Sequence, residues 1–132
     1  MKKKIIQKIQ PNKIKVYVDN DIFTVYKTKQ DTSEAFAVIR DNREITIISK
    51  NPLHGKTEIL DSETGWKLLT FDAVLPFSMT GFIAKITTAL AEGCIPVFVL
   101  SAYSTDHILI KNENLEKTLN ILIDLGFTAD RR

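Results

Sequence analysis

The chain predicts a two-layer α+β sandwich, an antiparallel sheet covered on one side by two helices. Three observations predict it. Residues 65–125 alternate between strand-like and helix-like hydrophobic periods in the order βαββα. Residues before 65 alternate polar and apolar over short runs and contain no long helical stretch. A turn-forming Pro76-Phe77-Ser78-Met79-Thr80-Gly81 stands where the first strand of the C-terminal half gives way to its first helix.

Residues 13–18 (Lys-Ile-Lys-Val-Tyr-Val), 23–29 and 44–48 have the alternation of half-buried strands. Asp19-Asn20-Asp21 supplies a turn. Asp41-Asn42 reads as a hairpin turn between 35–40 and 44–49, with Arg43 in place of the usual glycine. Asp31-Thr32-Ser33-Glu34 can start one helical turn, and 51–65 reads as loop with room for a short helical piece.

The C-terminal half is patterned more strongly. Strand 66–74 carries Trp66, Leu68, Phe71 and Val74, with Trp66 a core or interface anchor. Met79, Ile83, Ile86 and Leu90 then fall on one face of a helix over 80–92. Ser78 or Thr80 is placed to cap it, Gly93 to end it in a left-handed conformation, and Pro96 to prevent its continuation. Strands 96–101 and 107–111 follow, joined by Ser101-Ala102-Tyr103-Ser104-Thr105-Asp106. The last helix, 113–125, sets Leu115, Leu119 and Leu122 on one face. Asn112 is its expected N-cap, Glu113 and Glu116 favour its positive end, and Gly126 stops it. The pattern is that of a ferredoxin-like unit, βαββαβ. Its fourth strand is either a very short edge strand at 127–130 or a strand lent by the first half. A sheet shared between the halves is expected, because the strand-rich first half has few helices to cover it.

Composition narrows the function classes. The 132 residues, 44% hydrophobic, suffice for one core or two small ones. There are 18 basic and 16 acidic residues, and without Lys2, Lys3 and Lys4 the balance is about −1. A neutral body argues against a nucleic-acid surface. No stretch approaches the ~20 apolar residues of a membrane span, and the lysine run precedes too short an apolar stretch for a signal peptide. A cytoplasmic protein is the expectation. Cys94 is the single cysteine, so no intrachain disulfide forms; it is expected to be a small buried hydrophobe. His54, His107 and Cys94 lie too far apart in the pattern for a metal site, and no cofactor motif is present.

The residues that can hold a ligand cluster at two places. The first turn of helix 80–92 leaves backbone N–H groups for a carboxylate; Gly81 permits close approach, and Ser78 and Thr80 add hydroxyls. Asp106, with Thr105 beside it, can hold an α-ammonium. Tyr103 can stack on a ligand or simply pack. The plainer reading of Ser78 and Thr80 is as helix caps, and of Asp106 as a turn residue. No Ser/His/acid triad is legible. The strand–helix loop 75–82 lacks the arginine that a phosphate-gripping enzyme on this scaffold needs, and strand 107–111 lacks an aromatic platform for RNA.

Several strings resemble a known family. They are Gly65-Trp66, Phe77-Ser78-Met79-Thr80-Gly81, Leu90-Ala91-Glu92-Gly93-Cys94-Ile95-Pro96-Val97-Phe98, and Ser101-Ala102-Tyr103-Ser104-Thr105-Asp106-His107-Ile108-Leu109-Ile110. Together they resemble the small tandem ACT-domain proteins, similar to the regulatory ACT pair of aspartate kinase and the ACT units of a eukaryotic cytosolic arginine sensor. Arg40-Asp41-Asn42-Arg43-Glu44-Ile45-Thr46-Ile47 resembles the hairpin of a degenerate first ACT unit. The sequence departs from the pattern at His107, where tyrosine is expected, and Gln30–Glu34 looks inserted.

The resemblance implies an ACT-type βαββαβ fold in tandem, with a degenerate strand-rich unit over 1–62 and an ACT unit over 63–132 sharing the sheet. It implies a regulatory, non-catalytic protein that senses a small molecule, an amino acid, at an interface between ACT units. The ligand site is expected at Ser78, Met79, Thr80, Gly81, Ser101, Tyr103, Thr105 and Asp106. The alternative is a ligand-free interaction module that regulates a partner enzyme. A homodimer is expected in either case, since free sheet edges invite pairing across a two-fold axis.

Overall fold

A computed structural model describes residues 14–31, 34–50, 52–53, 58–73 and 81–132, and among these residues eight strands and two helices follow one another. The strands are β1 (Lys15–Val18), β2 (Phe23–Thr28), β3 (Ala37–Arg40), β4 (Ile45–Ser49), β5 (Ile59–Asp72), β6 (Phe98–Ser101), β7 (Asp106–Lys111) and β8 (Thr128–Arg131). The helices are α1 (Phe82–Glu92) and α2 (Leu115–Asp124), the latter preceded by a 3-10 turn at Asn112–Asn114. The described residues up to 20 and from 67 onward form one unit, and those between 21 and 66 form another. No helix among the described residues is long and apolar enough to cross a membrane.

In the unit of 21–66 the strand order is β3-β4-β2-β5. β2 pairs antiparallel with β4, β4 with β3, and β2 with residues 59–66 of β5. Phe23, Ile47 and Ile48 are buried here. Asp41 closes the β3–β4 hairpin by accepting the backbone N–H of Arg43 and Glu44 at 2.7 and 2.9 Å. That self-bonding is why a turn without glycine still forms, and those two N–H donors hold the Asp41 carboxyl below its ordinary value. The reading of 51–65 as loop fails over 59–65, which is strand. Asp61, Ser62, Glu63 and Thr64 are all exposed, so their polarity carries no alternation to read. The β2–β5 register shifts between Phe23 and Val25, opposite Trp66 and Glu63, where Gly65 takes φ 89°; a glycine there lets the strand bulge.

In the other unit the strand order is β8-β1-β5-β7-β6. β1 lies antiparallel to β5, with Val16 opposite Phe71 and Tyr17 opposite Thr70, and parallel to β8. Both expected sources of a fourth strand are therefore used: 128–131 is a short edge strand, and β1 is inserted between it and β5. α1 and α2 cover one face. Their buried residues, Phe82, Ile86, Leu90, Leu115, Leu119 and Leu122, meet Val16, Val18, Leu69, Phe71, Ile108 and Ile110 from the sheet. Each such side chain contributes about 1.5–3 kcal/mol by leaving water. Phe71, Phe82 and Phe127 form an aromatic trio with centroids 5.4–6.1 Å apart, tying the end of β5 to the start of α1 and the approach to β8.

The helix ends correct three expectations. Gly81 stands at the N-cap of α1 with φ 89°; the expected caps, Ser78 and Thr80, lie outside the described residues. At the C-terminal end Gly93 has φ −87°, and Cys94 takes the left-handed place at φ 60°. Gly93 is wanted for space, since a Cβ there would stand 2.8 Å from Ile121 Cδ1. Cys94 is exposed, not buried, because its side chain projects from that turn. Asn114, not Asn112, is the N-cap of α2, since the 3-10 turn occupies 112–114.

Candidate functional site

Of the eight residues expected at the ligand site, Gly81, Ser101, Tyr103, Thr105 and Asp106 are described; Ser78, Met79 and Thr80 lie outside the described residues. The first intrahelical bond of α1 runs from Lys85 N–H to Gly81 O at 3.0 Å. Phe82, Ile83 and Ala84 therefore have N–H groups that α1 itself cannot satisfy. No acidic residue stands in that first turn, so the positive end of the helix dipole meets no carboxylate of its own element.

The second part of the site is the β6–β7 hairpin. Ser101 pairs with Asp106 across the ladder, and Ser101 Oγ donates to Asp106 Oδ1 at 2.7 Å. Ala102 N–H donates to Thr105 O at 2.9 Å and closes the loop. Tyr103 stands at the tip, 83% exposed.

Strand alternation then separates two expected neighbours. Ile108 and Ile110 face the helices with Leu69 and Phe71, so Asp106, two residues before Ile108, lies on the helix side. Thr105 belongs to the opposite face. Its Oγ1 sits 3.1 Å from His107 Nε2, and His107 Nδ1 sits 2.9 Å from Thr70 Oγ1. The structure thus joins Ser101 to Asp106 and joins Thr105 to His107 and Thr70.

His107 entered the sequence reading as a departure from a family pattern and as one member of an unlinked His54, His107 and Cys94 set, not as a site residue. It is 9% exposed, and burial holds its pKa below the ordinary histidine value, against the raising effect of the neighbouring Asp106 carboxylate. At neutral pH it is an uncharged ring between two hydroxyls. The signal that could have found it is the alternation of His107, Leu109 and Lys111 against Ile108 and Ile110. Because Thr70 and His107 touch, the residue from which β5 departs toward α1, Asp72, and the residue that opens β7, Asp106, both lie within two residues of that contact. The end of β5, where Phe71 packs against Phe82 of α1, and the start of β7 share one end of this unit's sheet. No group of three or more potential metal ligands occurs among the described residues.

Residues 61–124 match the family model of the ACT domain. No curated protein matches the sequence. Among solved structures, the chain is similar to a protein of Agrobacterium tumefaciens, at 22% identity and a TM-score of 0.74, covering 90% of this chain and 93% of that one. It is similar to a putative C-terminal regulatory domain of aspartate kinase from Porphyromonas gingivalis, at 15% identity and a TM-score of 0.59, covering 87% and 98%. It is also similar to the ligand-free regulatory subunit of aspartate kinase from Thermus thermophilus, at 13% identity and a TM-score of 0.58, covering 83% and 95%. At these identities the likeness is one of fold.

Proposed function

Proceeding from the ACT domain that residues 61–124 match, we propose that this chain is a regulatory protein that senses an amino acid and catalyses no reaction. The observation that carries the reading is the Asp106 carboxylate. It is half-exposed, held by Ser101 at 2.7 Å, and set at the same end of the sheet from which β5 leaves for α1, whose first turn carries no acidic residue. A carboxylate, and N–H groups that α1 itself cannot satisfy, complement the ammonium and carboxylate of a zwitterion. The resemblance in fold to regulatory parts of aspartate kinase supports the same reading. In this proposal Ser78, Met79, Thr80 and Gly81 receive the carboxylate and Ser101 and Asp106 the ammonium, while Thr105 acts from behind. A homodimer supplies the second ACT unit of the binding interface, and ligand binding stabilises the association state that a partner enzyme reads.

Calorimetric titration of the full chain with each of the twenty amino acids tests this. At least one binds, and Asp106→Asn weakens it by about 10–100-fold, the worth of a charge-assisted hydrogen bond. If none gives heat at millimolar concentration, the sensor reading fails.

One observation favours a second reading, an interaction module without ligand. β3 is an edge strand whose Val38 and Ile39 are 37% and 44% exposed; a bare apolar edge is a template for pairing with another chain. Light scattering on the eluting protein separates the readings when repeated with and without the amino acids. Association that no ligand alters supports the module.

A further inference from the structure

Nine large apolar residues are exposed among the described residues, and three of them, Phe36, Val38 and Ile39, fall within four positions at β3. β3 ends the strand order of its unit, and among the described residues β4 is its only ladder partner. The opposite end of that order, residues 59–66 of β5, carries Asp61, Glu63 and the left-handed Gly65. Charges and bulges of that kind keep an edge from pairing. Over Phe36–Arg40, by contrast, only Arg40 is charged.

The backbone of β3 is ready for a further strand. Asp41 N–H bonds Glu44 O at 3.2 Å, and the β3–β4 register runs without a shift from Arg40–Ile45 to Ala37–Ile48. In an antiparallel ladder, residues that bond across it alternate with residues that point away. Ile39 and Ala37 therefore bond β4, and the N–H and C=O groups of Val38 and Arg40 point outward. Phe36 N–H is taken by Ile48 O at 2.8 Å.

The occupant that fits this edge is the same strand of a second copy. Where identical edges pair antiparallel across a two-fold axis, facing residues lie on one side of the sheet, so one residue must face its own copy. Centred on Ala37, Val38 would face the partner's Phe36, whose N–H is already used. Centred on Ile39, Arg40 would stand diagonal to its own copy, and like charges so placed repel. Centred on Val38, the two Val38 residues exchange both outward bonds and Ala37 packs against the partner's Ile39. Arg40 then lies opposite the partner's Phe36 and diagonal to the partner's Glu34, so that a guanidinium meets an aromatic ring and a carboxylate. Its five N–H donors still reach Asp31, its ion-pair partner within the chain. Glu34 and Phe36 are both exposed, and Phe36 is braced edge-on by Phe23 at 6.0 Å.

We propose that two copies of this chain join β3 to β3 antiparallel, centred on Val38, so that the four-stranded sheet of residues 21–66 continues into that of its partner. The proposal rests on the sensor reading only for the second copy that reading calls for, and it names the surface through which the copies meet; the pairing itself needs no amino acid. Phe36–Arg40 on each side fall short of the ~1,200 Å² of a tight interface, so the dimer is of the weak, reversible class.

Sedimentation of the full chain without ligand, from about 10 μM to about 1 mM, reads association in the range of a weak contact. The expected result is a monomer–dimer equilibrium within that range. Val38→Lys sets two ammonium groups face to face at the centre and weakens the dimer at least about tenfold, while an unchanged circular dichroism spectrum shows that the fold survives. Arg40→Glu weakens it as well, and combining it with Glu34→Arg restores it by exchanging the charges across the axis. Amide exchange at Val38 slows as the dimer fills. A chain that stays monomeric at about 1 mM overturns the pairing. So does a dimer that Val38→Lys leaves intact, a charge exchange that restores nothing, or a Val38 amide indifferent to concentration. An intact dimer in Val38→Lys leaves the sensor reading its second copy through another surface; failure of every amino acid to bind sinks the sensor reading and leaves the pairing standing.

Discussion

Replacing Cys94 by glycine should make the protein more stable. α1 ends with Cys94 N–H on Ala91 O and Ile95 N–H on Leu90 O, both at 2.9 Å. This is the paired closure in which the residue after the helix adopts a left-handed conformation. Cys94 does so at φ 60°. α2 ends in the same way, with Gly126 N–H on Ile123 O at 2.9 Å and Phe127 N–H on Leu122 O at 3.1 Å, but there the left-handed residue is a glycine at φ 105°. A side chain in that region costs about 1–2 kcal/mol. Glycine returns roughly 0.4–1 kcal/mol of this through its greater freedom in the unfolded chain. The exposed thiol gives up little packing, so Cys94→Gly gains about 0.5–1 kcal/mol. For a chain of this length that raises Tm by roughly 2–5 °C. Gly126→Ala is the mirror experiment and loses a comparable amount. Urea melts followed by circular dichroism measure both, with the slope in urea checked for constancy. A Cys94→Gly variant no more stable than its parent, beside a Gly126→Ala variant that costs nothing, would refute the reasoning about both helix ends.

Two further outcomes follow from the same unit. Phe82 is 4% exposed and packs edge-on against Phe71 and Phe127, so Phe82→Ala loses about 3–5 kcal/mol; a loss under about 1 kcal/mol in urea melts would contradict the packing. Because the native pKa of His107 is depressed, its contribution to stability is fully present above the ordinary value of 6.5. It is lost as pH falls through 6.5 toward the lower native value, then levels off. His107→Gln should flatten that limb of the stability profile, and an unchanged limb would show that another group produces it.

How much of this could be read beforehand depends on whether the signal was local. α1 and α2 were legible because Ile83, Ile86, Leu90 and Leu115, Leu119, Leu122 repeat at helical spacing. The strands of the first half were legible by alternation, except residues 59–65, where exposure of successive polar residues on both faces removes the pattern. The insertion of β1 between β5 and β8 was only one of two options in the sequence, since strand neighbours are chosen by packing, not by local propensity. The left-handed residue fell one position past the glycine that the sequence offered for it. At the candidate site, Ser101 and Asp106 were legible as the two ends of the segment joining β6 to β7, but not as bonded partners. The division of Asp106 from Thr105 onto opposite faces follows from period-two counting that the family resemblance obscured, and so does the role of His107.

Mapping amide shifts on addition of the amino acid that binds tests the central claim most directly. The account predicts changes concentrated at Gly81 through Ala84 and at Ser101 through Asp106, and their disappearance in Asp106→Asn. Changes confined to residues away from both segments, or binding undiminished in Asp106→Asn, would contradict it.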